Sequence, residues 1–166
     1  MTSHVSVGSD IIHAHANCDG AALGRASYQD FLIFARAVQD LEGGVYLNVG
    51  SAVTGPETYL KALSMSRNVA AGQGQSIRVF TTAVFDMAKL PADYRTNLPT
   101  RDASEYYFRP WKTVLVRTVQ DGGTSCYVPG NFCLSIPALW AQLTAANVHE
   151  SVLKRLRHDN SPIAGI

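Results

Sequence analysis

The pattern of apolar and polar positions predicts helices and strands that alternate along the first half of the chain. The segment Ser27–Asp30 resembles a capping box. The apolar residues at helical spacing after it are Phe31, Phe34, Ala35, Val38 and Leu41. The β-rich run Val45–Val49 predicts a strand. Pro56–Glu57 is a favoured opening for a second helix, and Ile77–Phe85, rich in β-branched and aromatic residues, predicts the next strand.

The second half has a different pattern, in which a long irregular segment precedes the remaining elements. Met87–Lys112 contains three prolines and mixed charge, which predicts a loop of the length that is usually functional or mobile. Thr113–Val119 predicts another strand, Cys126–Val128 a short one, and Ile136–Pro137 the opening of a last helix. At the amino terminus, the alternation in His4–Val7 predicts a further short strand.

This order of elements indicates an α/β fold with a largely parallel sheet and helices on both faces. About four parallel strands are predicted, fewer than a doubly wound fold usually has. We therefore expect a partial fold that belongs to a larger unit. The α/β domain is predicted at residues 1–146, followed by a polar tail at residues 147–166.

Composition and charge narrow the class of partner. Fourteen Lys plus Arg against thirteen Asp plus Glu leave a formal net charge of +1, without the field that favours nucleic acid or an anionic membrane. The sequence has no signal-peptide pattern and no apolar run that could span a bilayer. The three cysteines are widely spaced, which is typical of reduced thiols. We expect a cytoplasmic protein with a small-molecule substrate.

Several side chains that can bind metal follow the first predicted strand. His13 and His15 form a His-x-His pair, with Asp10 and Cys18 nearby, and such a pair suggests a metal-dependent hydrolase. That site needs further ligands from the ends of later strands, and Asp86 is the one well-placed extra carboxylate. The alternative interpretation is that both histidines are packed or hydrogen-bonded within a loop.

Two small-residue segments could approach a ligand closely. Gly50–Gly55 lies between a strand and a helix, where backbone N–H groups and the helix dipole can hold a phosphate. Its spacing is neither GxGxxG nor a P-loop, and Glu57 already places negative charge there, so a tight turn is the alternative. Asp19 precedes Gly20–Gly24 and could accept hydrogen bonds from a ribose, or could form an Asx turn into the helix.

The end of the long loop contains a candidate nucleophile. Lys112 follows Trp111, and a lysine beside aromatic surface can lose solvation and lower its pKa, as imine chemistry requires. The alternative is a solvated lysine that snorkels over its neighbours.

The order and spacing of short motifs resemble the carboxy-terminal half of the deoxyhypusine synthase-like superfamily, in its bacterial branch. The similarity covers about residues 4 to 143. The segments that carry it are Cys18–Gly24, Val49–Val53, Phe80–Ala83, Trp111–Lys112, Gly130–Asn131 and Ile136–Leu139. The resemblance implies a Rossmann-like fold that binds NAD, an active site between the subunits of a homo-oligomer, and a lysine that captures an aminobutyl group as an imine.

The resemblance also implies roles for individual residues. Lys112 matches the imine-forming lysine, and Glu105 is a candidate substrate carboxylate. The residues that would contact NAD are Asp19, Gly50, Ser51, Thr82, Ala83 and Asn131. Arg25 stands where the family has an acidic residue, so we do not expect deoxyhypusine synthesis itself.

We therefore expect an NAD-linked transferase with an unknown small substrate. The first alternative is a non-catalytic nucleotide-binding or subunit-interaction domain. The second is a metal-dependent hydrolase that uses His13 and His15.

Overall fold

A computed structural model of the 166-residue chain describes residues 1–145. The described residues divide into two units, Met1–Pro129 and a second that begins at Gly130. The predicted polar tail, residues 147–166, lies outside the described residues. Within residues 1–145, no helix has the length and apolar character needed to cross a membrane.

The first unit contains a parallel sheet of three strands. Strand β1 spans Val45–Val49, β2 spans Thr81–Asp86 and β3 spans Thr124–Pro129, in the order β1-β2-β3. The predicted strand at Val45–Val49 is confirmed, and the one predicted at Cys126–Val128 lies within β3. Helices flank this sheet, so the prediction of an α/β, Rossmann-like partial fold is confirmed.

Helix α1 spans Gly20–Gln39 and begins earlier than the predicted opening at Ser27. Asp19 is the reason, because its Oδ1 accepts the N–H groups of Ala21 at 2.9 Å and Ala22 at 3.1 Å. A carboxylate in this position satisfies donors that have no partner within the helix. The predicted start was wrong because the stronger cap lies further upstream.

The amino-terminal segment His4–Val7, predicted as a strand, does not join the sheet that the described residues form. Backbone N–H groups in and next to this segment are hydrogen-bonded to side chains of α1 instead. The Ser3 N–H donates to the Asp30 carboxylate at 2.7 Å, and the Val5 N–H donates to the Ser27 hydroxyl at 3.4 Å. The strand prediction was wrong because side chains of α1 accept these backbone donors.

Helix α2 spans Thr54–Gly72, close to the opening that Pro56–Glu57 predicts. Tyr59 of this helix is fully buried and stacks on Tyr46 of β1, with ring centroids 3.6 Å apart. Helix α1 packs on α2. The two helices and the sheet enclose one apolar core that includes Ala35, Val38, Ala62, Leu63, Val84, Val114 and Leu115.

Strand β2 is shorter than the predicted segment Ile77–Phe85. The N–H groups of Arg78 and Val79 donate to the Glu42 carboxylate at 2.6 and 3.1 Å, which removes them from strand pairing. The periodicity of the sequence does not reveal this side-chain acceptor, because Glu42 belongs to a distant turn.

The largest correction concerns the segment predicted as the strand Thr113–Val119. It forms a π-helix at Pro110–Val116 and a 3₁₀ helix at Arg117–Val119. A shorter 3₁₀ helix, Ser104–Tyr107, precedes it, so the predicted loop Met87–Lys112 is irregular only in its earlier part. The π-helix buries consecutive residues, whereas a half-buried strand would bury alternate ones.

The two faces of the sheet differ. Tyr46, Thr82 and Ser125 are paired across the strands, and their side chains contact α2 or the π-helix. The helix contacts described within residues 1–129 lie on this face. On the opposite face, the exposed apolar residues of β1 are Val45, Leu47 and Val49.

Helix α3, in the second unit, spans Phe132–Ala145 and starts before the predicted opening at Ile136–Pro137. Asn131 Oδ1 accepts the Cys133 N–H at 2.8 Å, which caps the helix at the earlier position.

Candidate functional site

The carboxyl ends of parallel strands meet at one edge of a sheet, which is where open α/β sheets bind ligands. In the first unit, β1 ends at Val49 and β2 at Asp86. Gly50 and Ser51, both predicted to contact a cofactor, follow β1 at this edge. Asn131, also predicted to contact it, belongs to the second unit, where its side chain caps α3.

The turn between β1 and α2 is closed by its own hydrogen bonds. Asn48 Nδ2 donates to the Ser51 carbonyl at 3.0 Å, and the Gly55 N–H donates to Ser51 Oγ at 2.7 Å. A Cβ at Gly55 would lie 2.8 Å from Asn48 Oδ1, so this position has no room for a side chain. Gly50 adopts a φ of 65° and donates its N–H to the Phe85 carbonyl at 3.0 Å. The turn is therefore tight, and the Ser51 hydroxyl already has a partner.

A groove of about 570 Å³ lies beside this turn. Its walls are the segment His4–Val7, one side of α1 around Gly24–Phe31, and the first turns of α2 at Val53–Lys61. This is the size of a small-molecule site. We call it the β1 groove.

The charges at the β1 groove are centred on Glu57. Its carboxylate is bonded to the Lys61 ammonium and lies 3.6 Å from Arg109 Nε. The hydrogen bond from Lys61 has the largest effect and lowers the pKa of Glu57. Burial opposes it, and the charges of Lys61, Arg109 and Arg117 lower the pKa further. One carboxylate thus faces more than one cation, which leaves net positive charge beside the start of α2.

The two predicted catalytic residues lie on the segment that includes Arg109. Lys112 is partly exposed in the π-helix, and its Nζ lies 4.8 Å from the centre of the Tyr106 ring. Such a ring face attracts an ammonium. Glu105 is fully exposed, and hydrogen bonds from its own backbone N–H and from Ser104 lower its pKa.

Thr82 and Ala83, predicted to contact NAD, are buried in β2 and do not line the β1 groove. The Thr82 hydroxyl donates to the Val114 carbonyl at 2.9 Å. Ala83 lies on the opposite face of the sheet, paired with Leu47 and Cys126. The structure therefore gives the Thr82 hydroxyl a partner within the protein.

Asp19 caps α1 and also lines a second, mostly apolar cavity of about 660 Å³. Ile11, Ile12, His15 and Cys18 are among the other lining residues. The Asx-turn alternative for Asp19 agrees with the hydrogen bonds that its carboxylate accepts.

The histidine pair is bonded locally. His13 Nδ1 lies 2.9 Å from the Asp10 carbonyl, and His15 Nδ1 accepts the Asn17 N–H at 3.2 Å. Within residues 1–145, no three His, Cys, Asp or Glu side chains are grouped so that they could hold a metal ion. The arrangement matches the alternative of histidines hydrogen-bonded within a loop.

Sequence reasoning missed three features of this region: the buried Asn48, the ion pair of Glu57 with Arg109, and the π-helix. Asn48 carried a detectable signal, because a polar residue within an apolar strand next to Gly50 is typical of a side chain that closes a turn. The ion pair joins residues far apart in sequence and left no local signal.

Comparison of the chain with known protein families, with curated proteins and with solved structures finds no match. The resemblance to the deoxyhypusine synthase-like superfamily therefore stays a prediction from sequence motifs.

Proposed function

We propose that this domain binds NAD in the β1 groove and carries out NAD-linked transferase chemistry on a small substrate. The observation that carries the proposal is the groove itself, about 570 Å³ in volume, between α1 and the first turns of α2, whose N-cap Val53 follows the turn after β1. Open α/β sheets bind dinucleotides beyond the carboxyl ends of their strands, the side of the sheet from which the turn into α2 starts. The sequence motifs described above favour the same cofactor. The residues that they predict to contact it are not among those that line the groove: Asp19, Gly50, Ser51, Thr82, Ala83 and Asn131.

The residues present fit an anionic cofactor. The first-turn N–H groups of Gly55 and Glu57 are already bonded, to Ser51 Oγ and to the Val53 carbonyl, and Pro56 has no N–H, so the fit to an anion rests on side chains. The negative charge of Glu57, an objection to an anion at this helix, is offset by Lys61 and Arg109. Lys61 and Arg109 would hold the pyrophosphate, while Tyr28 and Phe31 offer an aromatic wall for a base or ribose.

NAD, when bound, supplies a hydride acceptor. Lys112 would then act as the nucleophile: its deprotonated amine would add to the C=N carbon of the oxidised amine substrate, and the substrate's own amine would leave as its C–N bond breaks and the lysine imine forms. Glu105, exposed and readily ionised, would attract a cationic substrate. Arg109 precedes the π-helix and forms an ion pair with Glu57, and would thereby connect the groove to the segment that carries Lys112.

The cofactor proposal is tested by the melting temperature with and without millimolar NAD. A ligand that binds only the folded state stabilises it by about 2.7 kcal/mol at a hundredfold excess over Kd. Gly24→Leu would fill the groove from α1, where no described atom lies within 4 Å of an added Cβ. Gly72→Leu, at the end of α2 and outside the groove lining, is the matched control. No NAD-dependent rise in the cooperative melt of the unmodified protein would refute the proposal.

The role of Lys112 is tested by borohydride trapping in the presence of NAD and candidate amines. Lys112→Ala should abolish the trapped adduct while the NAD-dependent rise in Tm remains. Lys89→Ala, which removes an exposed lysine, should leave trapping unchanged. Equal trapping in Lys112→Ala would refute the assignment.

The exposed apolar residues of β1 favour the alternative of a non-catalytic subunit-interaction domain. Val45, Leu47 and Val49 are 62%, 45% and 45% exposed, although both faces of a parallel sheet are normally covered. A homo-oligomer with a shared site is compatible with either function. Substrate-dependent NADH absorbance separates them, because sustained turnover contradicts a pure binding domain.

A further inference from the structure

We propose that Thr82 and Ser125 are positioning residues for Lys112. Their buried hydroxyls hold the π-helix on the sheet and thereby determine where the lysine lies. This inference rests on the proposed function, in which Lys112 is the reactive amine, and it gives Thr82 a different role from contact with a cofactor.

The geometry consists of two adjacent anchors. Thr82 Oγ1 donates to the Val114 carbonyl at 2.9 Å, and Ser125 Oγ donates to the Leu115 carbonyl at 2.7 Å. Thr82 and Ser125 are paired across β2 and β3, so their hydroxyls project side by side from one face. They bond consecutive carbonyls and thus restrain both the position and the rotation of the helix.

The carbonyls of the π-helix need hydrogen-bond donors at this place. Val114 and Leu115 lie in its last turn, where helix carbonyls run out of backbone donors. Both residues are buried, so water is a poor substitute. Thr118 Oγ1 also donates to the Val114 carbonyl, at 3.1 Å, but it belongs to the segment that continues the helix and gives no anchor to the sheet.

The choice of residue type supports the same conclusion. Thr82 is fully buried and Ser125 is 7% exposed, and a buried hydroxyl is costly unless it is bonded. A valine would fill the Thr82 position at similar volume without that cost. The hydroxyls are therefore explained by the carbonyls that they satisfy.

Anchoring the helix determines the environment of Lys112. Its neighbours Trp111 and Thr113 are 4% and 3% exposed, whereas Lys112 is partly exposed. The Trp111 indole N–H donates to the Tyr94 carbonyl at 2.6 Å, which restrains the first turn. With both ends of the π-helix held, the Lys112 ammonium lies over the Tyr106 ring.

The test is reductive alkylation with propionaldehyde and cyanoborohydride, without NAD, read by peptide mass spectrometry. The measured quantity is the rate at Lys112 relative to the exposed Lys89 in the same molecule. In the unmodified protein Lys112 should react more slowly, because it is partly buried and its ammonium contacts Tyr106. In Thr82→Val, or in Ser125→Ala if the first variant does not fold, the ratio should rise severalfold towards that of Lys89.

Two further variants separate positioning from general stability. Thr82→Ser keeps the hydroxyl and should keep the unmodified ratio. Thr81→Val removes a hydroxyl from the adjacent residue, which bonds Thr124 on the opposite face, and should also leave the ratio unchanged. A fall in Tm with no change in the ratio for Thr82→Val and Ser125→Ala would overturn the inference. Failure of NAD to raise Tm, or of Lys112 to be trapped, would instead count against the proposed function.

Discussion

Glu57 in the first turns of α2 lies 3.6 Å, from Oε1 to Nε, from Arg109, the residue that precedes the π-helix. The ion pair therefore connects the wall of the β1 groove to the segment that carries Lys112. A partly exposed pair of this kind adds little to stability, typically less than about 1 kcal/mol. Its main effect is that Arg109 offsets the negative charge of Glu57 at the β1 groove.

Opposite changes at this ion pair should change NAD affinity in opposite directions. Glu57→Gln removes the negative charge beside the start of α2 and should tighten NAD binding several-fold, whereas Arg109→Gln should weaken it by a similar factor. Titration calorimetry at low salt measures both. Asp93→Asn, an exposed change outside the groove lining, is the control. Equal effects of the two variants in one direction would contradict this electrostatic account.

Two glycine-to-alanine substitutions should change the stability of the protein in opposite directions. Gly55→Ala places a Cβ 2.8 Å from both Asn48 Oδ1 and Ser51 Oγ, and should destabilise the protein by about 1–3 kcal/mol. Gly24→Ala, in the interior of α1, meets no described atom within 4 Å and should stabilise it by up to about 1 kcal/mol. Urea denaturation of both variants measures the difference. A neutral Gly55→Ala would show that the turn relaxes freely.

Asp19 should act as a helix cap. Asp19→Ala leaves the N–H groups of Ala21 and Ala22 without their acceptor and should cost about 1 kcal/mol, whereas Asp19→Asn retains an acceptor and should cost less. Urea denaturation measures both. If Asp19→Asn retains stability but loses the NAD-dependent rise in Tm, the carboxylate has a role in cofactor binding beyond the cap.

Alkaline pH should destabilise the fold through its buried tyrosines. Burial raises the pKa of Tyr46 to about 12, and burial with the nearby Asp86 raises that of Tyr127 to about 12. In the unfolded chain a tyrosine titrates near about 10, so between these values the folded state holds a proton that the unfolded state has lost. The contribution is complete below about pH 10 and falls as pH rises to about 12, by up to about 1.4 kcal/mol per pH unit for Tyr46 and by less for Tyr127, which is less buried.

Denaturant unfolding between about pH 9 and about pH 11.5 measures this loss. Tyr46→Phe should make stability fall less steeply with pH, while Tyr28→Phe, at a residue 63% exposed, should leave the slope unchanged. An identical slope in Tyr46→Phe would contradict the assignment to Tyr46.

The local sequence pattern was sufficient to predict some helices and strands. Val45–Val49 is β-rich over its whole length and forms β1, and Pro56–Glu57 lies in the first turn of α2, because propensity and helix-start signals act over a few residues. The same kind of reasoning was wrong where a side chain accepts hydrogen bonds from backbone N–H groups that strand pairing would otherwise use. Glu42 accepts the N–H groups of Arg78 and Val79 and so delays the start of β2.

The sequence by itself determined the α/β class and the two candidate regions, the turn after Val49 and the loop end at Lys112. Only the tertiary structure decided that these regions meet through Glu57 and Arg109, and that Thr113–Val116 is helical. The physical reason is that both outcomes depend on groups distant in sequence. A β-branched run suits a strand or a buried helix, and here the hydroxyls of Thr82 and Ser125 satisfy the carbonyls that helical geometry leaves free.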